Sequence, residues 1–283
     1  MRKGVYFLIF VCIGIFSYYS PIALAGIEIV SISHSGSSWG VLEEANGTYS
    51  LLIVSGGKLV SKIRLNPTGE PCGLAWNGSE WIVETFTPDN VIFQTPNGSG
   101  LFKLHSYDCR GLTYLNGTYY IPVSESAMTG ECLLVIVSPN GSVEKAVSCG
   151  YIDGVRVKAV RGKLYLMNAT GVYVYSGGGF RKNITLNGPV SDFSVLNGSF
   201  IFCDGKSIKI RNTTLLDVSC SRVDCQDNKC LLSANSSLYL YDGELHRVSL
   251  EEPENLQPIN PIIVYLLAFT AVVILLAIMG RKR

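Results

Sequence analysis

The chain has 283 residues, a formal net charge of +1 and 16% charged residues. So small and balanced a charge gives no electrostatic footprint for nucleic acid, which needs a basic stripe or patch. Hydrophobic residues make up 47%, and they are most concentrated in the two ends.

The first segment begins Met1-Arg2-Lys3-Gly4, runs almost wholly apolar from Val5 to Tyr19, and reaches Ala23-Leu24-Ala25 before Gly26. A basic start, a short apolar run and a small-x-small site predict a secretory signal peptide over 1–25, cleaved after Ala25. At the other end, 262–280 carries no charge and is long enough for one helix across a hydrocarbon layer. Arg281-Lys282-Arg283 follows, and basic residues stay on the cytoplasmic side. The sequence therefore predicts a single-pass type I cell-membrane protein with an extracytoplasmic domain over 26–250. A linker over 251–261, a transmembrane helix over 262–280 and a basic stub over 281–283 would complete it.

Of nine cysteines, Cys12 falls in the signal segment. The other eight, Cys72, Cys109, Cys132, Cys149, Cys203, Cys220, Cys225 and Cys230, are an even set in an exported domain, which predicts up to four disulfides. The spacing Cys220-x4-Cys225-x4-Cys230 does not suit zinc knuckles. Ten Asn-x-Ser/Thr sequons, at Asn46, Asn77, Asn97, Asn116, Asn140, Asn168, Asn183, Asn197, Asn212 and Asn235, predict an N-glycosylated surface.

Between the ends there is no long 3.6-residue apolar period. Short runs of Val, Ile, Tyr, Phe and Leu are punctuated by Asn-Gly, Asp-Gly and Gly-Gly, the turn pairs of hairpins. One unit recurs, best seen at 74–83 and 112–121 and again at 157–166, 193–202 and 223–232. Its turn residues Gly36, Gly78, Gly117, Gly162, Gly198 and Asn228 stand 42, 39, 45, 36 and 30 residues apart. About 40 residues with four strands is what one propeller blade needs. A blade has two apolar faces, and a ring buries them all. The pattern resembles a six-bladed β-propeller, with a pair of β-sandwiches as the alternative; WD40 and kelch signatures are absent. Few glutamines, many sequons, disulfides and a short basic tail resemble the single-pass surface glycoproteins of hyperthermophilic archaea or their viruses.

Hairpin arithmetic predicts two disulfides. If Asn140-Gly141 is a two-residue type I′ loop, cross-strand partners sum to 281, which pairs Cys132 with Cys149 at a non-hydrogen-bonded position, close enough for a bridge. Around Asp227-Asn228 the same reasoning pairs Cys225 with Cys230. Cys72 with Cys109 and Cys203 with Cys220 remain, each linking neighbouring blades.

Candidate chemistry is sparse. Gly36-Ser37-Ser38-Trp39-Gly40 matches a nucleophile elbow, but that motif needs a strand-turn-helix, and here the context is a β-turn. His34, His105 and His246 lie far apart and read as surface residues. The tyrosine pairs read as blade packing. Acidic residues just before the inner strands of several blades, Glu70, Asp108, Asp153, Asp192 and Asp224, could ring a channel mouth and hold a hard cation or a polar substrate; ordinary turn caps are the simpler reading. No cofactor beyond such a structural cation is implied. The expected function is a membrane-anchored binding, adhesion or envelope module with an extracellular protein or glycan partner, and a non-catalytic role is favoured. The alternatives are a tethered hydrolase with its site at the channel mouth and an accessory subunit of a surface assembly or sensor.

Overall fold

The computed structural model describes residues 27–210 and 213–250. The expected signal segment, linker, transmembrane helix and basic stub lie outside the described residues, as does Asn212. Among the described residues no helix is long and apolar enough to cross a membrane.

Twenty-four strands form six four-stranded antiparallel sheets, each made of consecutive strands. Blade 1 is β1 (Glu28–His34), β2 (Trp39–Ala45), β3 (Thr48–Ser55) and β4 (Lys58–Arg64). Blade 2 is β5 (Glu70–Trp76), β6 (Trp81–Thr87), β7 (Asn90–Gln94) and β8 (Gly100–His105). Blade 3 is β9 (Thr113–Leu115), β10 (Thr118–Ser124), β11 (Glu131–Val137) and β12 (Val143–Tyr151). Blade 4 is β13 (Arg156–Val160), β14 (Lys163–Asn168), β15 (Gly171–Ser176) and β16 (Gly179–Thr185). Blade 5 is β17 (Asp192–Leu196), β18 (Ser199–Cys203), β19 (Ile208–Ile210) and β20 (Thr213–Leu216). Blade 6 is β21 (Cys220–Gln226), β22 (Lys229–Ala234), β23 (Ser237–Tyr241) and β24 (Leu245–Arg247).

The meander follows from the turn pairs. Asn46-Gly47, Asn116-Gly117, Arg161-Gly162 and Asn197-Gly198 each place two successive residues at φ between 48° and 84°. That is the type I′ geometry whose twist matches the flanking strands, and it favours Asn and Gly. The apolar residues then fall into six clusters, one at each blade-to-blade interface. Val41, Leu52 and Ile32 of blade 1, for instance, pack against Leu231, Leu238 and Leu240 of blade 6.

Among the described residues no strand is exchanged between the first and last blades. The ring closes through that mixed apolar cluster and a parallel bridge between Lys58 and Ser249, where the Leu59 N–H donates to the Ser249 carbonyl at 3.1 Å. Gly40 shows why a nucleophile-elbow pattern arises here. A Cβ at Gly40 would lie 2.7 Å from the Trp81 ring of blade 2, so this glycine serves interblade packing within a β-strand.

Four disulfides are present: Cys72–Cys109, Cys132–Cys149, Cys203–Cys220 and Cys225–Cys230. The hairpin carrying Cys132 and Cys149 differs from the expected one. Its loop is not a two-residue type I′ turn: the Ser138 N–H donates to the Ser142 carbonyl, the Gly141 N–H to that of Ser138, and Gly141 has φ 85°. Pro139 is the reason. Its missing N–H cannot complete the narrow pair that a tighter loop requires. Register shifts at Ile136/Val137 and Cys132/Leu133 then set Cys132 opposite Gly150, with Cys149 beside it.

Candidate functional site

The first strand of each blade lines the axis and neighbours the first strands of the flanking blades. A channel cavity of about 340 Å³ opens where these inner strands begin. Its wall is charged on both sides. Blades 1 and 2 contribute Glu28, Glu44, Glu70 and Tyr49, while Arg110, Arg156 and Arg222 come from the linker before blade 3 and from blades 4 and 6.

Deeper in the channel, Lys158 of β13 stitches four blades together. Its Nζ lies 3.5 Å from Asp192 Oδ2 and 3.6 Å from Asp224 Oδ1, and it donates to the Val223 carbonyl at 3.0 Å and the Ile32 carbonyl at 3.5 Å. Asp224 also meets His34 Nδ1 at 2.6 Å. Asp192 accepts from the Phe193 and Val223 amides at 2.9 and 3.0 Å. Burial alone would raise the Asp224 pKa, yet the His34 and Lys158 charges more than offset it and hold the carboxyl below the ordinary range. Burial would likewise lower His34, but the Asp224 charge and hydrogen bond raise its pKa above the usual value.

Of the five candidate acids, Glu70, Asp192 and Asp224 line the one cavity, while Asp108 and Asp153 do not. Glu70 lines the mouth and is exposed. Asp108 accepts from Arg110 Nε at 2.9 Å and from its terminal NH2 nitrogen at 2.6 Å. The Asp153 side chain is 91% exposed and touches Arg110 at 3.2 Å. Asp192 and Asp224 are buried, with Lys158 where a cation would be expected. His34, expected at the surface, is part of this buried lattice; His105 and His246 are exposed. Among the described residues, Cys72, Glu84 and Cys109 form a group whose ligand atoms lie within 4.8 Å of one another. Two of them are joined in a disulfide, which lacks the thiolate a metal requires.

The arginines are the unforeseen part of the site. The Arg156 side chain donates to the Val155 carbonyl at 2.8 Å. Arg222 donates to the Val30 carbonyl at 2.6 Å and the Ser221 carbonyl at 3.0 Å. Neither makes a carboxylate ion pair among the described residues, although each guanidinium carries five donors. A bulge at Val30 and another at Ser221 interrupt the inner-strand ladders at these contacts. Burial first, and then the charge of Arg222, lower the Arg156 pKa to about 10. Arg156 and Arg222 keep spare donors beside the cavity, Arg110 is paired with Asp108 and Asp153, and Glu28, Glu44 and Glu70 line the same wall, so the mouth presents both signs of charge. A signal for it was present: charged or hydroxyl residues alternate at period two on inner strands, as in Arg156-x-Lys158, Arg222-x-Asp224 and Asp192-x-Ser194.

Among the described residues the sequons sit on turns, at a strand end (Asn168, β14) or in an outer strand (Asn183, β16). Asn46, Asn97, Asn116, Asn140, Asn183, Asn197 and Asn235 are exposed, and Asn77 and Asn168 are half-buried.

The fold and site define a six-bladed β-propeller with a charged axial cavity. No family model and no curated protein matches the sequence. The fold is similar to solved propellers. A gluconolactonase from Xanthomonas campestris aligns with a TM-score of 0.57 at 9% identity, over 79% of this chain and 86% of that one. The β-propeller domain of the trilobed protease from Pyrococcus furiosus aligns with a TM-score of 0.49 at 9% identity, over 78% and 83%. At such identities the likeness is one of fold.

Proposed function

We propose that the protein is a membrane-anchored, glycosylated extracytoplasmic propeller that binds an anionic group of an extracellular ligand, a carboxylate, sulfate or phosphate, at Arg110, Arg156 and Arg222. The observation that carries this reading is that, among the described residues, Arg156 and Arg222 hydrogen-bond to backbone carbonyls and make no carboxylate ion pair, Asp192 and Asp108 acting on Arg156 only at longer range, beside a cavity large enough for a small ligand. Keeping cations together without carboxylate partners costs free energy that a bound anion returns. Three of the candidate acids are held in ion pairs, Asp108 with Arg110, and Asp192 and Asp224 with Lys158, which leaves Glu28, Glu44 and Glu70 as the unpaired carboxylates of the cavity among the described residues. The three ion pairs favour binding over hydrolysis. The apolar ends, the sequons and the four disulfides support an exported, anchored setting.

Titrating the full-length protein with inorganic phosphate by calorimetry tests the proposal. The wild type is expected to bind with an affinity that falls as salt rises. Arg156→Ala should weaken it at least about tenfold, about 1.4 kcal/mol. Equal phosphate affinity in wild type and Arg156→Ala would end the proposal. A chain stopped after Asn260 should leave the membrane fraction; retention there would refute the single anchor.

A further inference from the structure

One disulfide differs from the other three. Cys132–Cys149, Cys203–Cys220 and Cys225–Cys230 have every sulfur-bearing residue buried within an apolar cluster. Cys72 and Cys109 are only half-buried, and both line the channel cavity. Cys72 occupies a bulge in β5, between the paired residues Pro71 and Gly73, where an inner strand re-aims a side chain.

Behind this disulfide lies Glu84 of β6, fully buried. Both carboxyl oxygens are enclosed and make no hydrogen bond of ordinary geometry among the described residues, the Gly111 amide being a neighbouring donor that offsets burial only in part. The carboxyl and the two sulfurs lie within 4.8 Å of one another. The space is made by a glycine: a Cβ at Gly73 would stand 2.3 Å from Glu84 Oε2. A glutamate placed in an apolar interior with no partner carries a heavy cost for structure alone.

We propose that Cys72–Cys109 is a redox-active disulfide, reduced through the channel by a dithiol, with Glu84 as the internal acid that protonates the departing sulfur. A thiolate of the reductant attacks one cysteine sulfur, and the S–S electron pair leaves on the other. That sulfur takes the Glu84 proton and becomes a thiol. The reductant's second thiol then attacks the mixed disulfide, closing the oxidised reductant and releasing the second cysteine, which is protonated from water. Two electrons pass from dithiol to protein, and Glu84 regains its proton from solvent. A thiolate formed on the enclosed side of the disulfide, against Glu84, is poorly solvated, so a neighbouring neutral acid accelerates the step that forms it. Burial raises the Glu84 pKa to about 8, with the Gly111 amide only partly opposing it. The acid is thus protonated at neutral pH and close in strength to the thiol it serves.

The test is reduction of the full-length protein by dithiothreitol, followed by differential alkylation and peptide mass spectrometry, with rates expressed per reductant thiolate. Cys72–Cys109 is expected to open at least about tenfold faster than the other three bridges. Its per-thiolate rate should fall as pH rises through about 8. Glu84→Gln should slow this bridge alone and abolish the pH break. Reduction of all four bridges at similar rates, a wild-type rate without a break, or wild-type behaviour in Glu84→Gln would each overturn the proposal. The wild-type profile decides the matter even without the variant.

Discussion

Replacing Asp224 by asparagine is expected to destabilise the propeller by about 3 kcal/mol, because it removes one member of a buried ion cluster and leaves the others under-compensated. Asp224 is 2% exposed and faces His34 and Lys158 together. The loss should depend on pH. The folded Asp224 pKa lies below its ordinary 3.8, so its contribution is present above that value and is lost as pH falls through the folded pKa. His34 is raised above 6.5, so its contribution is complete below 6.5 and is lost as pH rises through the folded pKa. The largest penalty is expected between those two values, measured by urea unfolding. Asp153→Asn, at an exposed side chain, should leave stability unchanged. Equal stability of Asp224→Asn and wild type at pH 5.5 would show that the lattice does not hold the ring together.

Glu84 acts in the opposite direction. Its folded pKa is raised from 4.5 to about 8, so stability is fully present below 4.5 and is lost as pH rises through about 8. A shift of that size corresponds to about 5 kcal/mol across the interval. Glu84→Gln has the same shape and cannot ionise. The difference in unfolding free energy between wild type and variant should therefore change steeply between pH 4.5 and 8.5, with the variant the more stable at the alkaline end. Parallel stability curves would mean that the carboxyl is solvated or paired.

The blades were legible because their chemistry is local. Asn-Gly pairs reach left-handed backbone cheaply, and Gly162 does so behind Arg161, so each hairpin declares itself at Gly117, Gly162 and Gly198. The aromatic and β-branched runs between them name the strands. The hairpin at Pro139 misled because the Asn-Gly signal was read without its neighbour's missing donor. The site was harder to read. The candidate acids were chosen by their place before inner strands, yet Asp108 and Asp153 turn to Arg110, and Asp192 and Asp224 turn to Lys158. Apart from Asp108 with Arg110, these pairings join distant residues, as does the contact of Arg222 with Val30 192 positions away, and no local pattern encodes them. Glu84 looked like an ordinary strand residue. Its burial depends on Gly73 and on a cysteine pair formed with the next blade's linker.

The claim that the channel mouth is an oxyanion site is tested most directly by a crystal of the extracytoplasmic domain soaked in selenate, with the anion located by anomalous scattering. A selenium peak bonded to Arg156 and Arg222, with Arg110 at the rim, is the predicted result. An empty mouth in a crystal that binds selenate elsewhere would contradict it.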